Sequence, residues 1–93
     1  MSSEVLPTSR PRPRRGMRLD WDPVRQRHVL LGPEGVLLLN RTGAAIVDLC
    51  DGRQTTAEIV ERLRGTYDHV DVDQVRGFLT RLIARGWLEV GDE

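Results

Sequence analysis

The first clear pattern in the chain is a strict alternation of apolar and polar side chains over residues 17–22. Met17, Leu19 and Trp21 fall on one side of an extended chain, and the charged residues between them fall on the other. A period of two is typical of a strand with one buried face. We predict a first strand here, ended by Pro23, which cannot donate to a hydrogen-bonded ladder.

Two more extended segments follow. Residues 27–31 predict a second strand, and the apolar residues 36–39 predict a third. Residues 32–35 lie between them and read Gly-Pro-Glu-Gly, with proline at the second position and glycine at the exit of a tight turn. Short strands joined by short turns favour an antiparallel meander.

Helical periodicity replaces this alternation after Asn40, a residue type that caps helix N-termini. Residues 42–50 predict a first helix. A second helix begins at a capping box, in which the side chains of Thr55 and Glu58 each accept the backbone N–H of the other residue. The chain therefore changes from strands to helices near residue 40.

Asp71 caps a predicted third helix, which ends at Gly86, and residues 87–90 predict a short strand or tail. The apolar residues of this helix form one broad stripe. They are Val72, Val75, Phe78, Leu79, Leu82 and Ile83. A three-stranded antiparallel β-meander followed by three α-helices resembles a winged-helix-like α+β domain.

The patterned residues 17–90 are predicted to form one domain, with a short tail at 91–93. Residues 1–16 are rich in proline and arginine. Proline at this density favours extended chain without hydrogen-bond donors, so we predict a flexible arm. Docking of this arm on a partner or on a second copy of the chain stays open, and so does a homodimer formed by exchange of elements.

Composition narrows the class of protein. The 14 basic residues are all arginine and balance 14 acidic residues, for a formal net charge of zero. Phosphate binding draws on concentrated positive charge, so the total argues against nucleic acid. The chain has no run of the ~18–20 apolar residues that a membrane span needs, and no secretory signal is visible. We expect a cytoplasmic protein that does not bind membranes.

The sequence contains no recognisable catalytic or metal-binding motif. Cys50 is the only cysteine and lies in an apolar helical pattern, which favours a buried and unreactive thiol. His28 and His69 have no spacing typical of a metal site. Asp71 and Asp73 are explained as charges at a helix start. We predict a protein that is not an enzyme and that needs no cofactor.

The four consecutive apolar residues 36–39 need a further explanation. A strand with helices on one face should alternate, with polar residues on the open face. This strand instead has apolar side chains on both faces, so both faces need to be covered by other residues. The four side chains are Val36, Leu37, Leu38 and Leu39. That second cover is either the chain itself, through the N-terminal segment or Trp87, or a partner.

The third helix has a glycine, Gly77, at an interior position where it costs roughly 0.5–1 kcal/mol relative to alanine. Close approach of another backbone would explain it, and so would packing against Trp87 or a neighbouring helix. Arg76 and Arg85 flank the apolar stripe on its two sides. An extended peptide that pairs with the third strand and rests on this helix would fit such a groove.

Several short motifs resemble one known family, pyrroloquinoline quinone biosynthesis protein D (PqqD). They are Pro33-Glu34-Gly35-Val36, Leu39-Asn40, Leu49-Cys50-Asp51-Gly52, Thr55 with Glu58-Ile59, Phe78-Leu79 and Gly86-Trp87-Leu88. Their order and spacing cover residues 13–90. The Arg-rich arm before Pro13 is longer than the family pattern needs.

The resemblance implies a peptide chaperone. Members of the family bind the precursor peptide PqqA and deliver it to PqqE, a radical S-adenosylmethionine enzyme that joins a glutamate and a tyrosine of that peptide. The leader of the peptide lies between the third strand and the third helix. Carried onto this chain, the resemblance implies a peptide site made of Val36, Leu37, Leu38, Leu39, Val75, Arg76, Leu79 and Ile83. The alternative is a winged-helix nucleic-acid-binding protein, favoured by the fold order and the basic arm.

Overall fold

The computed structural model describes residues 5–91. Its elements are β1 (Pro11–Pro13), β2 (Arg18–Asp22), β3 (Arg27–Gly32), β4 (Gly35–Leu38), α1 (Arg41–Asp48), α2 (Thr56–Arg64), α3 (Val72–Ala84) and β5 (Leu88–Val90). An antiparallel sheet of order β2-β3-β4, followed by three helices, confirms the predicted α+β fold. A second sheet, formed by β1 and β5, was not predicted.

The three-stranded sheet turns one row of leucines toward the helices. Leu19 is opposite Leu30, and Leu30 is opposite Leu37. Leu30 is fully buried at the centre of this row, since strands flank it on both sides. The two-residue turn after Gly32 brings that residue opposite Gly35 and fixes the register.

All three predicted helix caps are present. Asn40 Oδ1 accepts the N–H of Gly43 at 2.6 Å. Thr55 Oγ1 accepts the N–H of Glu58 at 3.1 Å, and Glu58 Oε1 accepts the N–H of Thr55 at 2.7 Å. That second bond lowers the pKa of Glu58. Asp71 accepts two N–H groups in the first turn of α3. Local sequence therefore sets where each helix begins.

A single hydrophobic core lies between the leucine row of the sheet and the apolar faces of the three helices. Its buried side chains are Val5, Leu30, Leu39, Ala44, Ile46, Val47, Cys50, Ile59, Val60, Leu63, Val75, Leu79, Leu82 and Leu88. Every helix and both sheets supply part of this core. Packing in the core therefore holds α3 in place relative to the three-stranded sheet.

The segment predicted as a flexible arm packs on the domain from Val5 onward. Val5 is 1% exposed and belongs to the core. β1 pairs antiparallel with β5, and Arg12 Nε donates to Glu89 Oε2 at 2.7 Å. The prediction of an arm separate from the domain is wrong for residues 5–16, and the domain extends to Gly91, whose N–H donates to Arg10 O. Residues 1–4 and 92–93 lie outside the described residues.

The register explains why a proline-rich segment forms a strand. Gly91 N donates to Arg10 O at 2.9 Å, and Arg14 N donates to Trp87 O at 3.1 Å. Hydrogen-bonding positions alternate along an antiparallel strand, so the backbone N–H and C=O groups of Arg10, Arg12 and Arg14 point toward β5. The two prolines of β1 occupy the positions between them, where no N–H toward β5 is needed.

Within residues 5–91, no helix has the length and apolar content required to cross a membrane.

Candidate functional site

The β4 strand has one edge that no strand covers within the described residues. It is the last strand in the order β2-β3-β4. Of the four apolar residues predicted for the site in this segment, Leu39 is buried and Leu37 is half-buried toward the core. Val36 is 52% exposed and Leu38 is 43% exposed. Neither of the internal covers considered from the sequence hides these two side chains.

The backbone of β4 also has groups that point away from the sheet. Leu39 N donates to His28 O at 3.0 Å, and Leu37 is opposite Leu30. In an antiparallel pair, the residues that exchange bonds with the partner strand alternate. Leu37 and Leu39 therefore bond to β3, while the N–H and C=O groups of Val36 and Leu38 face the open edge.

Phe78 of α3 and Trp87, just after α3, lie near residues that flank β4 in the chain. A methyl group added at Gly43, just after β4, would lie 3.2 Å from Phe78 Cζ. One added at Gly32, just before β4, would lie 3.4 Å from Trp87 Cζ3. The chain therefore passes from Phe78 to Trp87 in the direction opposite to β4. We call the space between β4 and this part of α3 the cleft.

The four predicted site residues of α3 do not all face this cleft. Val75 and Leu79 are buried in the core, and Leu79 is 0% exposed. Ile83 is half-buried against the core. Arg76 donates from Nε and Nη2 to Val5 O, at 3.2 and 3.1 Å, on the side of α3 covered by the N-terminal segment. The structure thus places the backbone groups of Val36 and Leu38 at the open edge, with their side chains on the face away from the core, and directs Arg76 to the N-terminal segment.

A groove of about 890 Å³ opens on the other side of α3, where α1 begins. Its lining combines an apolar floor with a polar rim. The lining residues are Asn40, Thr42, Gly43, Ile46, Leu63, Tyr67, His69, Val70, Asp71, Asp73, Gln74, Val75, Gly77, Phe78 and Arg81. Phe78, which contacts Gly43, lies where this groove meets the end of β4. We call this the open flank of α3.

The open flank has its own arginine and its own small residue. Arg81 lies one turn after Phe78 and lines the groove. Among residues 5–91, and apart from the adjacent helix backbone, a Cβ added at Gly77 would have only Arg81 Nη1 within 4 Å, at 3.4 Å. Packing against Trp87 or another helix therefore does not explain this glycine. Arg85 falls on the same side of the helix one turn further on.

The sequence could have indicated this flank. Phe78, Arg81 and Arg85 recur at helical spacing, which was visible without a structure. The residues contributed by α1 and by the loop before α3 carried no such signal, because only the fold brings them beside Phe78.

The remaining reactive groups do not form a chemical centre in the described part of the chain. Burial, with a contribution from Asp51, raises the pKa of the Cys50 thiol to about 12, so this side chain stays protonated at neutral pH. Among residues 5–91, no group of three or more His, Cys, Asp and Glu side chains is arranged to hold a metal ion.

Fold and site together define a small winged-helix-like α+β domain with an exposed strand edge beside an amphipathic helix. A family profile described as Coenzyme PQQ synthesis protein D (PqqD) matches residues 27–88. The chain belongs to the PqqD family.

Curated relatives match across most of the chain. A protein named PqqA binding protein from Methylococcus capsulatus is 40% identical over 73 residues, which cover 77% of this chain and 78% of the relative. A protein of the same name from Stutzerimonas stutzeri is 37% identical over 90 residues, which cover 95% of this chain and 98% of the relative.

Solved structures show the same fold. The solution NMR structure of the PqqD truncation of Methylobacterium extorquens PqqCD has a TM-score of 0.75 and 35% identity, over 94% of this chain and 96% of that one. That protein is described as a functional, stand-alone recognition element for ribosomally synthesised and post-translationally modified peptides. The heterocyclase TruD shares the fold alone, with a TM-score of 0.68 and 24% identity over 89% of this chain and 12% of TruD.

Proposed function

We infer that this protein is a peptide chaperone of pyrroloquinoline quinone biosynthesis that binds the precursor peptide PqqA. The PqqD family and the names of the curated relatives support this assignment. The observation that carries it is the β4 edge, where the backbone groups of Val36 and Leu38 face outward beside α3. An exposed edge of this kind accepts an extended peptide as an additional strand.

The proposed binding mode uses the two walls of the cleft differently. Main-chain bonds to Val36 and Leu38 would hold the peptide irrespective of its side chains. Alternate peptide side chains would point toward α3, where Phe78 offers an apolar surface and Arg81 a guanidinium for a carboxylate. The other set would lie beside the exposed side chains of Val36 and Leu38 and cover them.

This mode refines the set of site residues. Val36, Leu37 and Leu38 form the strand that receives the peptide, while Leu39, Val75 and Leu79 support it from the core. Ile83 lies at the edge of that support. Arg76 is replaced by Arg81 as the guanidinium expected to contact the peptide, because Arg76 is bound to Val5 O.

We further propose that the chain passes the bound peptide to PqqE and does not itself catalyse a reaction. The protonated, buried Cys50 supports a role without a thiol nucleophile. Action in the cytoplasm follows from the same proposal, because the peptide is made on ribosomes. No observation on α3 favours the nucleic-acid alternative over the peptide.

Amide hydrogen exchange of isotope-labelled protein, with and without PqqA peptide, tests the binding mode. The Val36 and Leu38 amides face the open edge, so they should exchange fast in the unbound protein and slow markedly when the peptide binds. The Leu37 amide bonds to β3 in both states and provides an internal control.

Exchange at Val36 and Leu38 that stays fast at saturating peptide would contradict addition of a strand to β4. Absence of any binding in a calorimetric titration would contradict the proposed function as a whole. A parallel measurement of molecular mass would show whether a second copy of the chain occupies the edge instead.

A further inference from the structure

The side of α3 opposite the open flank is covered by residues 5–9, which we call the strap. The strap is fixed to α3 by the backbone of one residue. Val5 N donates to Thr80 Oγ1 at 3.1 Å, and Val5 O accepts from Nε and Nη2 of Arg76. The Val5 side chain is buried in the core beneath these contacts.

The other end of the strap is fixed to α2. Ser9 O accepts from Thr56 N at 2.8 Å and from Thr56 Oγ1 at 3.1 Å, and Pro7 O accepts from Ala57 N at 3.1 Å. The first N–H groups of a helix have no partner within it, so these carbonyls satisfy groups that α2 leaves over. The strap therefore joins the start of α2 to the middle of α3.

The strap does not reach the cleft. Arg76 and Thr80 are four residues apart and share one side of the helix, whereas Phe78 and Arg81 lie on the other. Together with the core, the contacts on the strap side nevertheless help to hold α3 in place. Any movement of α3 toward the strap widens the cleft on the opposite side.

We propose that the strap positions α3 for peptide binding. Thr80 is the positioning residue: its hydroxyl binds the strap and never touches the peptide. The inference rests on the proposed function, since it names what sets the geometry of that same cleft. Without the bond to Val5, α3 occupies its binding position for a smaller fraction of the time. The apparent affinity for the peptide falls by that fraction.

Two substitutions at Thr80 separate the hydroxyl from the rest of the side chain. Thr80→Val removes the acceptor for Val5 N and keeps the shape, whereas Thr80→Ser keeps the acceptor. We expect Thr80→Val to weaken PqqA binding about three- to tenfold, as the loss of one hydrogen bond would allow. Thr80→Ser should bind like the unaltered protein. Calorimetry with synthetic PqqA peptide measures both.

A matched control removes the effect of general destabilisation. Ile59→Val takes one buried carbon from α2, leaves every hydrogen bond of the strap in place, and lowers stability by an amount similar to a lost hydrogen bond. Urea unfolding checks that the Ile59→Val and Thr80→Val proteins are equally destabilised. The Ile59→Val protein should keep full affinity. In the unbound proteins, only Thr80→Val should shift the amide resonances of Gly77 and Phe78.

Equal affinity of the Thr80→Val and unaltered proteins would overturn the inference, and so would an equal loss in Ile59→Val. If the unaltered protein does not bind PqqA, the proposed function fails and the resonances still decide on the strap. Unmoved Gly77 and Phe78 amides in Thr80→Val would then show that the strap does not position α3, and shifted amides would show that it does.

Discussion

The two flanks of α3 have opposite relations to the rest of the chain. On one flank, Arg76 and Thr80 bond to the backbone of Val5, so the chain itself supplies an extended segment. On the other, Phe78 and Arg81 border a groove next to a strand edge with unused backbone groups. The same helix thus lies between an extended segment that is already bound and a place where a second one fits.

The two flanks differ in whether the chain itself supplies partners for their polar groups. The covered flank has its polar groups matched by carbonyl and N–H groups of the strap. The open flank has a glycine at which, among the described residues, an added carbon would meet only the Arg81 side chain, and it has guanidinium groups at its border. Contacts on the covered flank hold α3 in place. The open flank stays exposed, so a peptide can bind there. Three tests, at Leu79, at the two arginines Arg76 and Arg81, and at Gly77, examine this difference from the largest expected effect to the smallest.

Removal of the support that both flanks share should have the largest effect. Leu79 is fully buried beneath both. Leu79→Ala should lower the free energy of unfolding by about 2–5 kcal/mol, because it leaves a cavity in the core. Urea unfolding followed by circular dichroism measures this loss. Leu79→Met, which conserves volume, should cost under about 1.5 kcal/mol. Equal losses in the two variants would mean that α3 is not held by packing at this position.

Charge reversal on each flank should separate stability from binding. In Arg76→Glu, Val5 O loses its donors and faces a carboxylate, so we expect a loss of about 1–3 kcal/mol in stability. Arg81→Glu should change stability by less than about 0.5 kcal/mol, since its side chain is exposed. It should nevertheless weaken PqqA binding up to about tenfold. Unfolding curves and calorimetry that give the two variants the same profile would remove the distinction between the flanks.

The smallest effect should come from Gly77 and should have opposite signs for stability and affinity. Gly77→Ala favours the helix by about 0.5–1 kcal/mol, and only Arg81 Nη1 lies near the added carbon. The same carbon projects into the groove, so PqqA affinity should fall while the melting temperature rises. An affinity that rises together with stability would show that the peptide does not approach this part of the helix.

Much of the fold could be predicted because its signals are local. The caps Asn40, Thr55 and Asp71 act within four residues, and the turn between β3 and β4 depends on its own proline and glycines. The alternation over residues 17–22 likewise reflects a strand, in which Met17 and Leu19 are half-buried against the core although Trp21 is 49% exposed. Each of these features depends only on residues that are close in the chain, so each could be predicted from the sequence.

The candidate site could be predicted only in part, because its boundary depends on residues far apart in the chain. The apolar stripe of α3 has two symmetrical flanks in sequence, and either one could have faced the peptide. The choice depends on Val5, which lies 71 positions before Arg76. Proline and arginine alternate at a period of two in residues 10–14, which fits a strand, but proline density favoured the prediction of a disordered arm.

The pairing of β1 with β5 has a consequence for synthesis of the protein. Arg12 and Glu89 are separated by 77 positions, so β1, which is made before the other described strands, has no partner until almost all of the domain has been made. The meander and the first two helices can acquire structure earlier, from contacts within their own sequence. Closure of the domain is therefore a late event in its biogenesis, and a nascent chain stalled before residue 88 would expose the hydrophobic surface that this closure hides.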